Sequence, residues 1–282
     1  MNSSAERDLA SQYRRFLDTH PLRRMTVAGT QHWSLIDSQA GRDALLLLPG
    51  FAGEASTAFL FATALEAHFR TLSLSYPASV GRVDALCDGL SALMDETGIP
   101  QAALVGGSSS GFIAQAFVRR HPRRVSRLIL THTGLPDNAR ARTARMYLRM
   151  LNALPFGVFQ KLALISMRLF FPNNQPVSLF WRAHFRDVIR RESREGLKNR
   201  FALMQDFHAH YRFQPGDLGG WQGKTLIMEM DRDHLTSPAE RTTMRSLYPG
   251  ARVHVFPDTA HYDSVERPDE QIGVILQFLL DT

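Results

Sequence analysis

The sequence holds a single cysteine, Cys87, in 282 residues. That excludes an internal disulfide framework and a thiolate metal cluster, and the chemistry need not involve thiols. The amino end, Met1 to Ala10, carries no long apolar run. It matches neither a secretory leader nor a membrane span, so the expectation is a soluble cytoplasmic protein without stable membrane insertion. Charge of one sign is not concentrated either. The formal net charge of +6 rests mostly on arginine, and pairs such as Arg119 and Arg120, or the run Arg190 to Arg194, have carboxylates interleaved. This reads as solvated surface with a weak bias toward anionic partners, and nucleic acid is not an expected partner. The length fits one large domain, or a domain with an insert, able to bury a full core.

What is present is an alternation of apolar runs and helical patterns. Residues 43–49 are almost unbroken apolar sequence ended by Gly50, as expected for a strand covered on both faces. Similar runs follow at 71–75, 102–106, 127–131, 225–230 and 252–256. Helical patterns lie between them at about 56–68, 82–97, 111–120, 237–247 and 267–280. The order predicts an α/β class with a mostly parallel, doubly wound sheet, and Met25 to Ile36 can supply an antiparallel edge hairpin. Between Gly134 and Gly223 no strand pattern appears and the sequence is helical in character. The expected organisation is a core formed by 22–133 and 224–282, a helical cap over 134–223, and an N-terminal extension over 1–21. Ligands of open sheets bind beyond the carboxyl ends of the strands. A cap there would roof the site. Met146, Met150, Phe156, Phe159, Leu162 and Phe171 are then either its own core or the lining of an apolar pocket for the acyl or alcohol part of a small substrate.

The stretch Ala102 to Ala114 joins a short apolar strand, a glycine-rich sharp turn and the start of a helix around serines, the layout of a nucleophile elbow. The literal pattern G-x-S-x-G centres on Ser109. Counting from the strand and the helix instead favours Ser108 at the turn, with Ser110 in a small-residue position and Gly111 letting the helix approach the strand. A serine hydroxyl is a poor nucleophile until a histidine takes its proton and a carboxylate fixes that histidine. Past the apolar run at 225–230 stands Asp233, with Asp231 as the alternative acid. Past the run at 252–256 stands His261, the expected base, whereas His234 reads as a loop histidine. The backbone amides of Phe51 and Ser109 are the expected donors of an oxyanion hole. His132, His208 and His210 are further polar groups, but they lack the spacing of a metal site. Neither a metal nor a cofactor is expected.

On these residues the chain resembles the α/β-hydrolase superfamily from about Leu22 to the C-terminus. Gly106 to Gly111 stands where the nucleophile elbow stands, Asp231-Arg232-Asp233 holds the acid loop, and Ala260-His261 carries the base. Within the superfamily it is most similar to the maspardin-like group, through Pro21 to Arg24 with Trp33 downstream, Leu48-Pro49-Gly50, Tyr76-Pro77 and Gly111 to Phe117. It departs from many members in having Pro49-Gly50 where they place His-Gly, and Ser110 where they place Gly. The resemblance implies a serine hydrolase of the carboxylesterase kind. The subgroup resemblance permits a non-catalytic binding or adaptor protein, since maspardin itself is regarded as lacking parts of the triad that this chain can fill.

Overall fold

A computed structural model describes residues 4–41, 43–51, 54–170, 176–261 and 267–281. Every residue of Ala44–Leu47 (β3) is buried, because this strand lies inside an eight-stranded sheet with helices on both faces. In spatial order the sheet runs Arg23–Val27 (β1), Gln31–Asp37 (β2), Arg70–Ser75 (β4), β3, Ala102–Gly107 (β5), Val125–Thr131 (β6), Lys224–Met230 (β7) and Arg252–Phe256 (β8). The first two pairings are antiparallel, with Met25 opposite Trp33 and Leu35 opposite Leu74. All the others are parallel.

The period of two along each strand divides the core. Leu46, Leu72, Leu104 and Leu128 join a cluster with Trp33 and the buried faces of Val83–Glu96 (α3) and Ser109–Arg120 (α4). Leu45, Val105 and Ile129 point the other way, toward Phe59 of Phe59–Leu65 (α2) and Ile275 of Pro268–Leu280 (α10). Burial on both faces explains why the central strands read as continuous apolar runs.

The segment expected only as a polar extension contains a helix, Ser4–Thr19 (α1). Leu9, Tyr13 and Phe16 recur at helical spacing and pack on the α2 side of the core, where Phe16 is buried.

Between Thr131 and Lys224 the described residues form no strand. They form Asn138–Ala153 (α5), Phe156–Phe170 (α6), Pro176–Arg191 (α7) and Arg194–His210 (α8), a helical cap inserted between β6 and β7. Three of these helices are tied firmly to the core, α7 through Phe180 and Trp181, which are buried against Phe59. In α8, Asp206 Oδ2 accepts the Val83 amide at the start of α3 at 2.8 Å, and Phe207 stacks on Phe112 with centroids 4.7 Å apart. In α5, Arg140 pairs with Glu240 of Pro238–Leu247 (α9) and donates to the Leu235 carbonyl. The stretch from Thr131 to Lys224 holds 14 Lys and Arg against 6 Asp and Glu up to Gly223, so the rest of the chain, with 19 against 21, is slightly acidic. The positive excess of the protein is carried by the cap.

Candidate active site

β5 ends at Gly107, paired with Thr131, and α4 begins at Ser109, so the whole reversal of direction falls on Ser108. Its backbone is at φ 51° and ψ −123°, a strained region for a residue with a side chain that persists only where the surroundings impose it. The Ser108 amide donates to Thr131 O at 3.1 Å, and the Thr133 hydroxyl donates to Ser108 O at 2.7 Å. The buried Ser110 hydroxyl closes the turn from within. It accepts from the Gly107 amide at 2.9 Å and donates to the Gly107 carbonyl at 2.8 Å. The helix can follow the strand this closely only because two positions lack a Cβ. One at Gly106 would sit 2.8 Å from the Ser110 carbonyl oxygen, and one at Gly111 would sit 2.4 Å from Thr133 Oγ1.

The loops beyond β7 and β8 bring the partners. Ser108 Oγ lies 3.0 Å from His261 Nε2, and His261 Nδ1 lies 2.8 Å from Asp233 Oδ2. The other Asp233 oxygen accepts the Leu235 amide at 2.7 Å. Burial would raise the Asp233 carboxyl pKa, but hydrogen bonding and charge from His261, with the Leu235 amide, outweigh it and hold the group below its ordinary value. An ionised Asp233 makes Nδ1 the donor, which leaves the Nε2 lone pair facing the serine hydroxyl. Ser109 makes no such contact with His261 among the described residues. Asp231 is turned into its own loop, accepting the Thr259 amide at 3.0 Å, and His234 is exposed.

Ser109 is the first residue of α4, so its amide has no partner within the helix. Both Ser109 and Phe51 line a small cavity of about 30 Å³ between the core and the cap, together with Tyr76, Phe112, Arg200 and Leu203 among others. That is room for about two water molecules. The residues expected to line an apolar pocket lie on the cap, and Phe201 of their cluster meets Phe51 with ring centroids 5.0 Å apart. Phe159 is buried, and Met150 and Phe156 pack beside it, in a cluster with Leu151, Leu197 and Phe201 that is the cap's own core. Met146 and Leu162 are exposed. Phe171 lies outside the described residues.

Of the additional histidines, His132 is placed beside the triad. It follows β6 with φ 38°, its amide donates to Met228 O at 2.9 Å, and Nδ1 lies 2.9 Å from Thr131 Oγ1. Its ring packs against the ring of His261. Burial, then the neighbouring His261, pushes its pKa down to about 3, so it is neutral at ordinary pH. His208 is fully buried in the seam between cap and core, with Nδ1 accepting the Asp137 amide at 3.2 Å. His210 is bound to Asp206 at 2.8 Å. Tyr76 and Arg200 were not legible as site residues. The one available signal for Tyr76 is its position just past the carboxyl end of β4, where ligands of such sheets collect. Arg200 lies mid-helix among other charged residues and carries no signal.

Comparison with known proteins fits this geometry. The alpha/beta hydrolase fold family matches residues 43–268. Maspardin of Danio rerio is 32% identical over 132 residues, covering 44% of this chain and 42% of that protein, so the chain spans less than half the length of the maspardin it matches. The 2-hydroxymuconate semialdehyde hydrolase of Pseudomonas putida is 25% identical over 197 residues, covering 67% of this chain and 66% of that protein. Among solved structures, a thermophilic esterase from Thermogutta terrifontis superposes with a TM-score of 0.74 at 20% identity, over 92% of this chain and 97% of that one. The enol-lactonase of Burkholderia xenovorans gives 0.72 at 20% identity, over 92% and 100%. With four-fifths of its length matched by the family and its sheet, elbow and helical insert in the family's order, the chain belongs to the alpha/beta hydrolase fold family.

Proposed function

We propose that this protein is a serine hydrolase that cleaves an ester-type bond of a small substrate. The observation that carries the reading is the unbroken chain of contacts from Ser108 Oγ to His261 Nε2 at 3.0 Å and from His261 Nδ1 to Asp233 at 2.8 Å, on a strained elbow. Ser108 Oγ attacks the carbonyl carbon while its proton passes to His261 Nε2. Asp233 holds the imidazole tautomer and stabilises the imidazolium that forms. The carbonyl oxygen, now carrying the charge, is met by the Ser109 and Phe51 amides. Collapse expels the alcohol with the proton from Nε2 and leaves an acyl-serine. Water, activated by the same ring, then releases the acid and restores the serine.

The 132-residue similarity to maspardin supports placing the chain nearest that group, as a member with a complete Ser-Asp-His set. No helix among the described residues is long and apolar enough to cross a membrane. A cytoplasmic location accompanies the reading, supported by a chain whose one cysteine is buried and unpaired.

The test is Ser108→Ala against p-nitrophenyl acetate, with circular dichroism to verify the fold. Turnover is expected to fall about 10⁴-fold or more. Labelling with an active-site phosphonate and peptide mapping should place the adduct on Ser108. An adduct on Ser109, or turnover that survives the substitution, contradicts the assignment.

A further inference from the structure

The cavity beside the elbow combines three observations. First, it is small, about 30 Å³, and one wall holds Phe51 and Ser109 together with Tyr76 and Arg200. Second, the Tyr76 hydroxyl is buried and has no hydrogen-bond partner among the described residues. Its ring is fixed edge-on against Trp33, with centroids 6.1 Å apart, a contact that phenylalanine would make equally well. A buried hydroxyl left unsatisfied destabilises the fold, so its presence points to a ligand atom that completes it. Third, Arg200 lines the same cavity with only 13% of its side chain exposed. Glu192 holds one edge of the guanidinium, through Nε at 2.7 Å and Nη2 at 2.6 Å. The pair fixes the plane of the group and leaves Nη1 without a protein partner among the described residues.

Besides Ser109, the polar side chains of this wall are Tyr76, just past β4, which can donate its hydroxyl proton, and Arg200 of α8, which only donates. Burial drives the Tyr76 phenol well above its ordinary pKa, so the proton stays on the hydroxyl. The rest of the wall is apolar, with Phe51, Phe112, Ile113, Leu203 and Met204, so it suits a short hydrocarbon spacer, and a planar guanidinium edge selects a carboxylate above other acceptors at its end. The cap around it adds to the bias, with 14 basic side chains against 6 acidic.

We propose that this recess is the acyl subsite, and that it takes a short acyl group ending in a carboxylate, bound by Arg200 and Tyr76 while the scissile carbonyl sits on the Phe51 and Ser109 amides. The preferred substrates are then monoesters of short dicarboxylic acids, of which the enzyme hydrolyses the ester and retains the free carboxylate as a handle. The proposal rests on the serine-hydrolase reading.

The experiment compares kcat/KM for monomethyl succinate and methyl levulinate, which share length and shape but differ in a carboxylate against a neutral methyl ketone. The wild-type protein is expected to favour succinate at least tenfold. Arg200→Gln should bring the ratio to about one. Tyr76→Phe, which removes one unpaired oxygen and breaks no internal bond, should reduce it severalfold. Because both esters use the same triad, the ratio is insensitive to a general loss of active protein. Equal rates in the wild type, a preference for levulinate, or a ratio unchanged by both substitutions overturns the subsite. If no ester is turned over through Ser108, the hydrolase reading has failed by itself, and titration calorimetry of succinate against the wild type and Tyr76→Phe decides the recess separately. Binding weakened by the substitution upholds the carboxylate site, and absence of wild-type binding or an equal affinity rejects it.

Discussion

The rings of His132 and His261 meet edge to face, with centroids 4.7 Å apart and planes at 87°. His132 is neutral, so it supports the catalytic ring by shape and by its quadrupole rather than by charge. His132→Ala opens a gap beside His261 and frees the ring to tilt away from Ser108. A misplacement of about 1 Å costs on the order of 10²-fold in rate. We expect kcat to fall about 10- to 100-fold with KM little changed, and His132→Phe to recover most of the loss. A kcat unaffected by the alanine would make the contact incidental.

The volume of the recess sets a limit for uncharged acyl chains. Each buried methylene is worth about 0.8 kcal/mol, close to fourfold in kcat/KM, only while there is space to bury it. Across p-nitrophenyl esters from acetate to decanoate, activity should peak at two to four carbons and then decline. Flat activity along the series, or a maximum at eight carbons or more, would contradict a recess of this size.

Gly111 touches Thr133 so closely that a methyl group cannot be added without displacement. Gly111→Ala should destabilise the protein by about 1–3 kcal/mol through overpacking, read as a melting temperature lower by about 3–8 °C. The same substitution should shift the elbow and depress kcat. Thr133→Ser, which removes a methyl at the contact, should recover part of the stability in the double variant.

Three histidines are held neutral by burial, His132 with its pKa near 3 and His184 and His208 with theirs near 4. In the unfolded chain each titrates near about 6.5. From that pH down to about 4 the unfolded state binds protons that the folded state refuses, so the stability these groups contribute is present above about pH 6.5 and is lost as pH falls through the window. Urea midpoints should drop steeply between pH 6.5 and 4. His208→Gln should flatten the dependence, by up to about tenfold in the unfolding constant per pH unit. A midpoint constant across the window would contradict the buried neutral state.

How far the sequence foretold this arrangement depended on whether a feature is local. β3, β5 and β7 were legible because burial on both faces leaves long apolar runs, such as Leu45 to Leu48. The order Ser108, Asp233, His261 was legible because each residue stands directly beyond such a run. The choice between Ser108 and Ser109 turned on where β5 ends, and strand register answers it, since Gly107 still pairs with Thr131. The walls of the site were not legible. Met150 of α5 and Phe159 of α6 stand on apolar faces, but which way a helical face turns is fixed by its neighbours, and here both join a cluster with Leu197 and Phe201 of α8. Helix α1 was missed because its mean polarity conceals the stripe of Leu9, Tyr13 and Phe16.

Asp206 makes part of the cap inseparable from the core. This residue of α8 supplies the hydrogen-bond acceptor at the amino end of α3 that α3's own sequence lacks, since Arg82 provides no side-chain cap. Losing such an acceptor costs about 1–2 kcal/mol. Any motion that lifted α8 away would also fray a core helix, whereas α7 is seated on the opposite face of the sheet, where Trp181 packs against Phe59. Substrate entry is therefore expected to leave α8 in place as a fixed post.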